Sequence, residues 1–335
     1  SLLRRKLHAI EEGTTQIETG ILVLDQFQEK LSIFDEAFTQ LFNSRRIIPD
    51  QFLALVERVR GETKSQPLSS TLLMFDSLTE YATLPETHSR TQTHSKREFF
   101  DTGIRSAYLI SSVSSFMNLS YSDHETLVLA ALLQDTGFAS LERRHGCLPR
   151  ELARRKPSAF RIHPRWSAAV AGGLRRCSVD LPMFIAEHHE RLNGIGFPNG
   201  LRSGRLTMAS KYFQIVSSFV GQVRKEMDIS QESTMSRRRK LSSVIQSARD
   251  YLEDRSRFGE FDESLTKSFA GVIDDAIDRI DSLPELDIEP TIRTEKRVVP
   301  PPKFFRQQKE TMTYGIIEPS KEKASATDNS KPFLD

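Results

Sequence analysis

Sulfur and long apolar runs are scarce in this 335-residue chain. It has two cysteines, Cys147 and Cys177, whose separation matches neither a zinc-binding spacing nor a disulfide framework. No apolar run reaches the roughly 18 residues that a membrane span requires, and the first residues do not resemble a signal peptide. Neither sign of charge is in large excess, since the net charge is +2. We therefore expect a protein of the reducing cytoplasm with no membrane span.

The apolar residues indicate helices. They make up 38% of the chain, which is enough for a substantial core, and they recur every three or four positions. No alternation with a period of two persists, so the sequence predicts an all-α fold. The central predicted helices cover residues 98–118, 123–136, 164–176, 182–193, 207–224, 241–254 and 263–282.

Composition divides the chain into four segments. We predict a smaller helical N-terminal region at 1–86, a polar linker at 87–96, a helical domain at 97–283 and a disordered tail at 284–335. Within the tail, Lys303, Phe304 and Phe305 would suit docking on a partner or on the domain.

A seam of apolar residues runs through the N-terminal region at helical spacing, and it must pack against something. Its members are Ile17, Ile21, Leu24, Phe27, Leu31, Phe34, Phe38 and Leu41. We favour packing within the chain, against shorter helices at 52–59 and 72–81. Pairing with a second copy of the chain is the alternative.

Two adjacent histidines carry most of the functional information. His188 and His189 follow Ile185 at a spacing that directs at least one imidazole to the buried face of a helix, and Gly194 is expected to end that helix. After it, Pro198, Asn199 and Gly200 predict a tight turn.

This segment resembles the signature of the HD-GYP family, helical phosphohydrolases of bacterial cyclic-di-GMP signalling. That signature joins His-His-Glu to an Asp-Gly-x-Gly-Tyr-Pro loop, where this chain has Asn193 for the aspartate and Phe197 for the tyrosine. Residues 127–138 are similar to the family's apolar helix ending in His-Asp-x-Gly-Lys, with Gln134 and Phe138 in place of histidine and lysine. The resemblance covers roughly residues 97–280 and implies an HD-domain-type helical bundle.

The resemblance also implies a metal site, with ligands retained at Asp135, His163, His188 and His189. Thr102, Gln134 and Ser217 replace two imidazoles and a carboxylate, and alcohols and carboxamides are poor donors to transition metals. Two dications at the spacing of a metal pair repel by roughly 17 kcal/mol, so anionic bridges are essential. We expect at most one divalent transition metal, iron or manganese, and no metal cluster.

The same residues have simpler interpretations, which the sequence leaves open. A histidine pair on a helix is often a hydrogen-bonded core or surface feature. Asp135, near a helix C-terminus, would pair with Arg143 or Arg144 instead of a metal. His163 before Pro164 suits the start of a helix.

Basic residues and the glycine-rich loop surround the retained ligands in sequence. Arginine forks bind phosphate through paired hydrogen bonds, so these residues would suit a cyclic dinucleotide or a phosphoprotein, and a solvated basic loop is the plainer alternative. No aromatic-interleaved basic stripe is present, so nucleic acid is not expected. The candidate ligand-binding residues are Arg143, Arg144, Arg165, Glu190, Arg191, Gly194, Gly196, Phe197 and Pro198.

These observations predict a bacterial signalling protein with a degenerate HD-GYP domain, which binds a ligand or a protein partner without efficient phosphodiester hydrolysis. No residue is assigned as catalytic. One alternative is an active metal-dependent cyclic-di-GMP phosphodiesterase with an altered ligand set. A second alternative is a structural protein that binds partners and whose pocket is vestigial.

Overall fold

The computed structural model describes residues 34, 36–38, 40–41, 48–83, 94–117, 119–147, 149–174, 177–229 and 236–283. These ranges contain helices and no strand, which confirms the predicted all-α fold; Asn193 and Arg202 form one isolated antiparallel bridge. The helices are α1 (Pro49–Lys64), α2 (Leu68–Thr83), α3 (His94–Val113), α4 (Tyr121–Leu133), α5 (Phe138–His145), α6 (Pro149–Arg155), α7 (Pro157–Phe160), α8 (His163–Ala171), α9 (Leu181–Glu187), α10 (Met208–Ile229), α11 (Arg237–Arg257) and α12 (Glu263–Ser282).

The predicted helices are present, with shifted ends. The last one, α12, has the predicted bounds, because the Asp262 side chain caps its first turn by accepting a hydrogen bond from the Leu265 N–H. By contrast, α3 begins at His94, inside the predicted linker, and α10 continues to Ile229. The short helices α5, α6 and α7 were not predicted, since each is too brief to show a helical period.

The N-terminal helices share a core with the central helices. α1 packs against α3 and α4, and α2 packs against α3 and α12. Hydroxyl pairs join the same elements, with Thr63 and Ser111 Oγ atoms 2.7 Å apart and Thr71 and Ser112 equally close. One continuous cluster of buried apolar side chains therefore runs from the N-terminal helices to α12.

The described part of the N-terminal seam packs within the chain, as favoured from the sequence. Phe34, Phe38 and Leu41 are buried, and Phe38 meets the Phe52 ring of α1 edge-on at 5.3 Å between centroids. The seam from Ile17 to Leu31, most of the linker and the tail with Lys303, Phe304 and Phe305 lie outside the described residues.

A buried arginine connects three of the helices. Arg105 of α3 donates from Nε to Asp101 at 2.7 Å and from Nη1 to the Phe75 carbonyl of α2 at 2.6 Å. The same guanidinium lies 3.6 Å from the Met227 sulfur of α10. Because a buried charge is costly unless it is paired, this network fixes how α2, α3 and α10 meet.

The C-terminal ends of α4 and α9 meet the start of α8. Helix α9 packs against α8, α4 and α10, and α5 packs against α8. Three connections of the chain are thereby brought to one place in the fold. Within the described residues, no helix combines the length and the apolar character of a membrane span.

Candidate metal centre

Helix α4 delivers Asp135. The helix begins at a Ser120 cap, whose hydroxyl accepts the Asp123 N–H at 3.0 Å, and its residues 126–133 are all buried. Gln134 follows as the C-cap of the helix, and Asp135 comes directly after it. An apolar helix thus carries a carboxylate at its end into the interior.

His163 is the first residue of α8, and Pro164 occupies the first turn, where a missing N–H costs nothing. The ring Nδ1 lies 2.9 Å from the Phe160 carbonyl oxygen. A carbonyl only accepts hydrogen bonds, so Nδ1 carries a proton and Nε2 is the ring nitrogen that faces the other residues of the cluster. His163 therefore starts a helix and also directs its Nε2 atom toward the cluster. The two interpretations of His163 from the sequence, as the start of a helix and as a possible ligand, are compatible with each other.

His188 and His189 follow the end of α9. The prediction that this helix extends to Gly194 was wrong, since α9 ends at Glu187. The His188 Nδ1 lies 2.6 Å from the Ile185 carbonyl oxygen, which fixes the ring as an Nδ1 donor. Gly194, at φ +85°, instead belongs to the following loop, where only glycine adopts that backbone conformation without strain.

The four residues that resemble retained ligands lie close together in the fold. His163 Nε2 lies 3.3 Å from His188 Nε2 and 3.3 Å from Asp135 Oδ1, and His188 Nε2 lies 4.0 Å from the same carboxylate oxygen. One ring nitrogen of each of His163, His188 and His189 falls within a 4.8 Å set suited to a metal ion. The His163 and His188 rings are fully buried or nearly so, and 16% of the Asp135 side chain is exposed.

The electrostatics of this cluster favour neutral imidazoles at His188 and His189 beside an ionised Asp135 carboxylate. Burial, reinforced by the neighbouring His163 charge, lowers the pKa of His188 to about 4. Burial and the charge of His188 hold the pKa of His189 well below its usual range. Burial alone would raise the pKa of Asp135, but the His163 hydrogen bond and nearby positive charges lower it overall. His188 and His189 therefore offer neutral imidazoles next to a carboxylate, which is a combination of groups that can bind a divalent cation.

Aromatic rings enclose the cluster. Phe138, the first residue of α5, stacks on the His163 ring with centroids 4.1 Å apart, and Phe160 meets the same ring edge-on at 5.2 Å. On the other side, Phe197 stacks on His189 at 4.5 Å. These rings orient the imidazoles and reduce the access of water.

The loop after the histidines is held by Glu190. Its buried carboxylate accepts the Asn199 N–H at 2.6 Å and the Leu201 N–H at 2.8 Å. Gly200 has φ +63°, as the predicted tight turn requires. Gly196 passes so close to the chain that a Cβ atom would lie 2.4 Å from the Arg191 nitrogen. The loop is consequently compact.

The residues that replace the other family ligands bond to one another. Ser217 Oγ donates to Gln134 Oε1 at 3.0 Å, and Gln134 Nε2 lies 3.4 Å from Ser106 Oγ. Thr102 Oγ1 accepts from Arg224 Nη1 at 2.9 Å. This neutral network, with one guanidinium beside it, offers no second group of metal donors.

The other candidate ligand-binding residues fall into two groups. Arg165 donates to Asn199 at 2.6 Å and so lies at the loop, together with Gly194, Gly196, Phe197 and Pro198. Arg191 is turned into the fold, where it donates to Ser218 at 2.9 Å and covers the Phe261 ring. Arg143 and Arg144 are exposed in the last turn of α5, and no described contact joins them to the histidines.

Sequence reasoning missed the aromatic enclosure and the role of Glu190. Phe138 was noted only as a departure from a lysine, and Phe160 gave no signal. Glu187 directly precedes the two adjacent histidines, and its carboxylate accepts a hydrogen bond from Ser210 Oγ at 2.5 Å. The direction of a carboxylate depends on donors that are distant in sequence, so the local pattern contained no indication of it.

Comparison with known families agrees with this geometry. An HD domain model matches residues 84–254, which is about half of the chain and includes all four converging residues. No curated protein and no solved structure gives a match.

Proposed function

The chain belongs to the HD-domain family, and from this we propose that it is a bacterial signalling protein of HD-GYP type with one metal site and no efficient hydrolysis. The proposed metal ligands are Asp135, His163, His188 and His189. The domain would act by binding a ligand, such as a cyclic dinucleotide, or a protein partner. The HD family includes metal-dependent phosphohydrolases, so the proposed loss of hydrolysis concerns this chain in particular.

One observation carries the proposal: the Nε2 atoms of His163 and His188 lie 3.3 Å apart, and a ring nitrogen of His189 belongs to the same set of potential metal donors. Each ring donates its Nδ1 proton to a carbonyl, so Nε2 is the nitrogen of each ring that would bind a metal, and the Asp135 carboxylate lies beside it. Imidazole and carboxylate donors suit a divalent transition metal. When bound, such an ion would supply Lewis acidity to a ligand oxygen.

Weak hydrolysis is supported by what surrounds these donors. A two-metal site needs anionic bridges, and the neighbouring positions hold Gln134, Ser217 and Thr102, all engaged in hydrogen bonds with one another or with Arg224. The two nearby glutamates are also engaged, Glu187 by Ser210 and Glu190 by backbone amides. No second set of metal ligands is present among the described residues.

Metal analysis of the purified protein tests this proposal. We expect one divalent transition ion per chain, lost in His188→Ala and retained in His145→Ala, since His145 lies on α5 outside the cluster. Incubation with cyclic-di-GMP and added Mn²⁺ or Fe²⁺ is expected to give no significant turnover, whereas a cyclic dinucleotide or a partner protein would raise the melting temperature.

Two other results would favour the alternatives. Two metals per chain with turnover that His188→Ala abolishes would identify an active cyclic-di-GMP phosphodiesterase. A metal-free protein that no cyclic dinucleotide stabilises, but that forms a stable complex through residues 1–86, would identify a structural partner-binding protein.

A further inference from the structure

We infer that an exposed surface beside the glycine-rich loop binds a short acidic segment of another protein, which contributes one large apolar side chain and several carboxylates. The surface consists of Ile195, Arg202, Arg205 and Phe258, and we call it the loop–hairpin surface because it joins the loop to the turn between α11 and α12. The inference rests on the partner-binding part of the proposed function and is independent of whether a metal is bound.

Hydrogen bonds bring the members of this surface together around Asn193. Its Nδ2 atom donates to the Phe258 carbonyl at 3.3 Å, and its Oδ1 atom accepts the Ile195 N–H at 3.2 Å. Asn193 also forms the isolated bridge with Arg202, and a Cβ atom on Gly194 would lie 3.1 Å from Arg202 Cγ. The loop after the histidines and the turn between α11 and α12 therefore form one continuous surface.

Two large apolar side chains of the surface face solvent. Phe258 is 73% exposed and Ile195 is 63% exposed. Hydrogen bonds fix the backbone at both positions: Gly259, at φ +71°, reverses the chain after Phe258, and the Glu260 N–H donates to the Arg255 carbonyl at 3.0 Å. Because these backbone positions are already ordered, a partner that covers the two side chains loses little free energy to the ordering of the loop.

The surface also carries an excess of positive charge. Arg202 and Arg205 are exposed, and no carboxylate of the described residues forms an ion pair with either guanidinium. The acidic residues of the adjoining turn are paired with other arginines, Asp254 with Arg257 at 2.9 Å and Glu260 with Arg255 at 3.1 Å. Two guanidiniums beside two exposed apolar side chains are thus complementary to a segment that is both acidic and apolar.

The residue types favour a protein segment over a lipid surface. Protein interfaces are enriched in aromatic residues and arginine, and these residues contribute most of the binding free energy. A guanidinium binds a carboxylate through two parallel hydrogen bonds, which gives Arg202 and Arg205 a defined geometry of recognition. Binding to an anionic membrane commonly uses about four to eight basic residues, whereas this surface has two without an ion pair among the described residues.

The surface is attached to the segment that follows the histidine pair. The Leu192 N–H donates to the Glu260 carbonyl at 2.9 Å. Arg191 pairs with the Glu260 carboxylate at 3.7 Å and donates to the Glu190 carbonyl at 2.8 Å. A partner bound at the loop–hairpin surface would therefore contact a segment that is held rigidly beside the candidate metal centre, which suits a signalling role.

Peptide selection on the full-length protein tests the inference. Random peptides displayed on phage are selected on the wild-type protein after those that bind the Phe258→Ser variant have been removed. We expect the enriched peptides to carry several aspartates or glutamates around one large apolar residue, and lysine and arginine to be depleted.

Variants then locate the binding site of an enriched peptide, which is synthesised with a fluorescent label and titrated by anisotropy. Phe258→Ser and the double variant Arg202→Glu, Arg205→Glu are each expected to weaken binding about tenfold or more, and the wild-type affinity should fall as the salt concentration rises. Phe116→Ser is the matched control, since Phe116 is also an exposed aromatic residue, at 59%, and lies outside this surface. The melting temperature and metal content of each variant show whether its fold and metal centre are intact.

The other possible occupants give different results. Failure to enrich acidic peptides, or an affinity that none of these variants changes, overturns the inference. Binding of phosphatidylserine vesicles or self-association in sedimentation, if abolished by Phe258→Ser and not accompanied by peptide binding, overturns it in favour of a membrane or a second copy of the chain. A protein that holds one metal ion but selects no acidic peptide keeps the proposed metal site and loses this surface, and a metal-free protein that selects them does the reverse.

Discussion

His188 is an imidazole that the fold keeps neutral. Burial and the neighbouring His163 lower its pKa from 6.5 to about 4, so in metal-free protein the unfolded chain binds a proton that the folded chain does not. The associated stability is complete above pH 6.5 and is lost as the pH falls through about 4. The loss amounts to about 3 kcal/mol for this residue. Urea unfolding in a chelator at pH 7, 5.5 and 4.5 measures it.

The variant His188→Gln isolates this contribution. It should show a shallower fall in unfolding free energy over the same pH range, whereas His145→Gln should follow the wild type. Equal slopes for wild type and His188→Gln would mean that His188 is not held neutral in the folded state.

Glu190 holds the loop through two hydrogen bonds that its carboxylate accepts from the Asn199 and Leu201 amides. Glu190→Gln removes the charge and one acceptor, so one of the two part-buried hydrogen bonds to the loop amides is lost. We expect a loss of about 1–3 kcal/mol in unfolding free energy, measured by urea denaturation.

A surface glutamate provides the control for this change. Glu151 forms an exposed ion pair with Arg155, and Glu151→Gln should cost less than about 1 kcal/mol. Equal effects of the two variants would contradict the role assigned to Glu190.

For individual residues, the sequence indicated which side chains lie near one another, but it did not indicate which hydrogen bonds each side chain forms. The histidines, Asp135 and His163 follow a recognisable order, so their convergence was predictable. Glu190 was predicted to contact a ligand, a role that remains a prediction, and the structure shows its carboxylate bonded to the loop. Acceptor and donor choices of this kind depend on residues that meet only after folding.

Among the helices, the junction of α4 and α5 packs closely against the start of α8. A Cβ atom on Gly137 would lie 2.5 Å from the His163 carbonyl oxygen and 2.7 Å from the Ser167 nitrogen. The Gly137 N–H also donates to Ser167 Oγ at 2.8 Å. Gly137→Ala should displace the start of α8, lower the unfolding free energy by about 1–3 kcal/mol and weaken metal binding.

A second glycine, Gly221, provides a control variant whose unfolding free energy is expected to rise instead of fall. Gly221 lies within α10 with nothing within 4 Å of an added Cβ atom, so Gly221→Ala should stabilise the protein by up to about 1 kcal/mol. Thermal unfolding and metal titration of both variants provide the comparison. If Gly137→Ala bound metal as tightly as the wild type, the position of His163 would not depend on this contact.

Helices long enough to show several turns were predictable, and the short ones were not. The apolar period located α4, α10 and α12, and capping residues set their ends. Between Asp135 and His163 the chain forms three brief helices whose pattern never completes a period. The end of α9 was predicted too late, because Gly194 was assigned to a helix cap and not to the loop that Glu190 holds.

For the whole molecule, the predicted division at residues 87–96 stays a prediction, but the described helices on both sides share buried side chains. Phe52 of α1 is buried against Phe38, and α1 packs on α3 and α4. Composition indicated a polar segment between the two regions. The packing of helices that are distant in sequence could not be predicted, because a local stretch of sequence does not show which side chains are buried together.

This shared core predicts that both regions unfold together. Phe52→Ala should cost about 3–5 kcal/mol, because it removes a fully buried ring. Trp166, the single tryptophan, lies in α8 three residues after His163, so its fluorescence reports the central helices. We expect the Trp166 transition to shift by as much as the helical signal in circular dichroism, whereas exposed Glu57→Ala shifts neither appreciably. An unchanged Trp166 midpoint in Phe52→Ala would show that the N-terminal helices unfold as a separate domain.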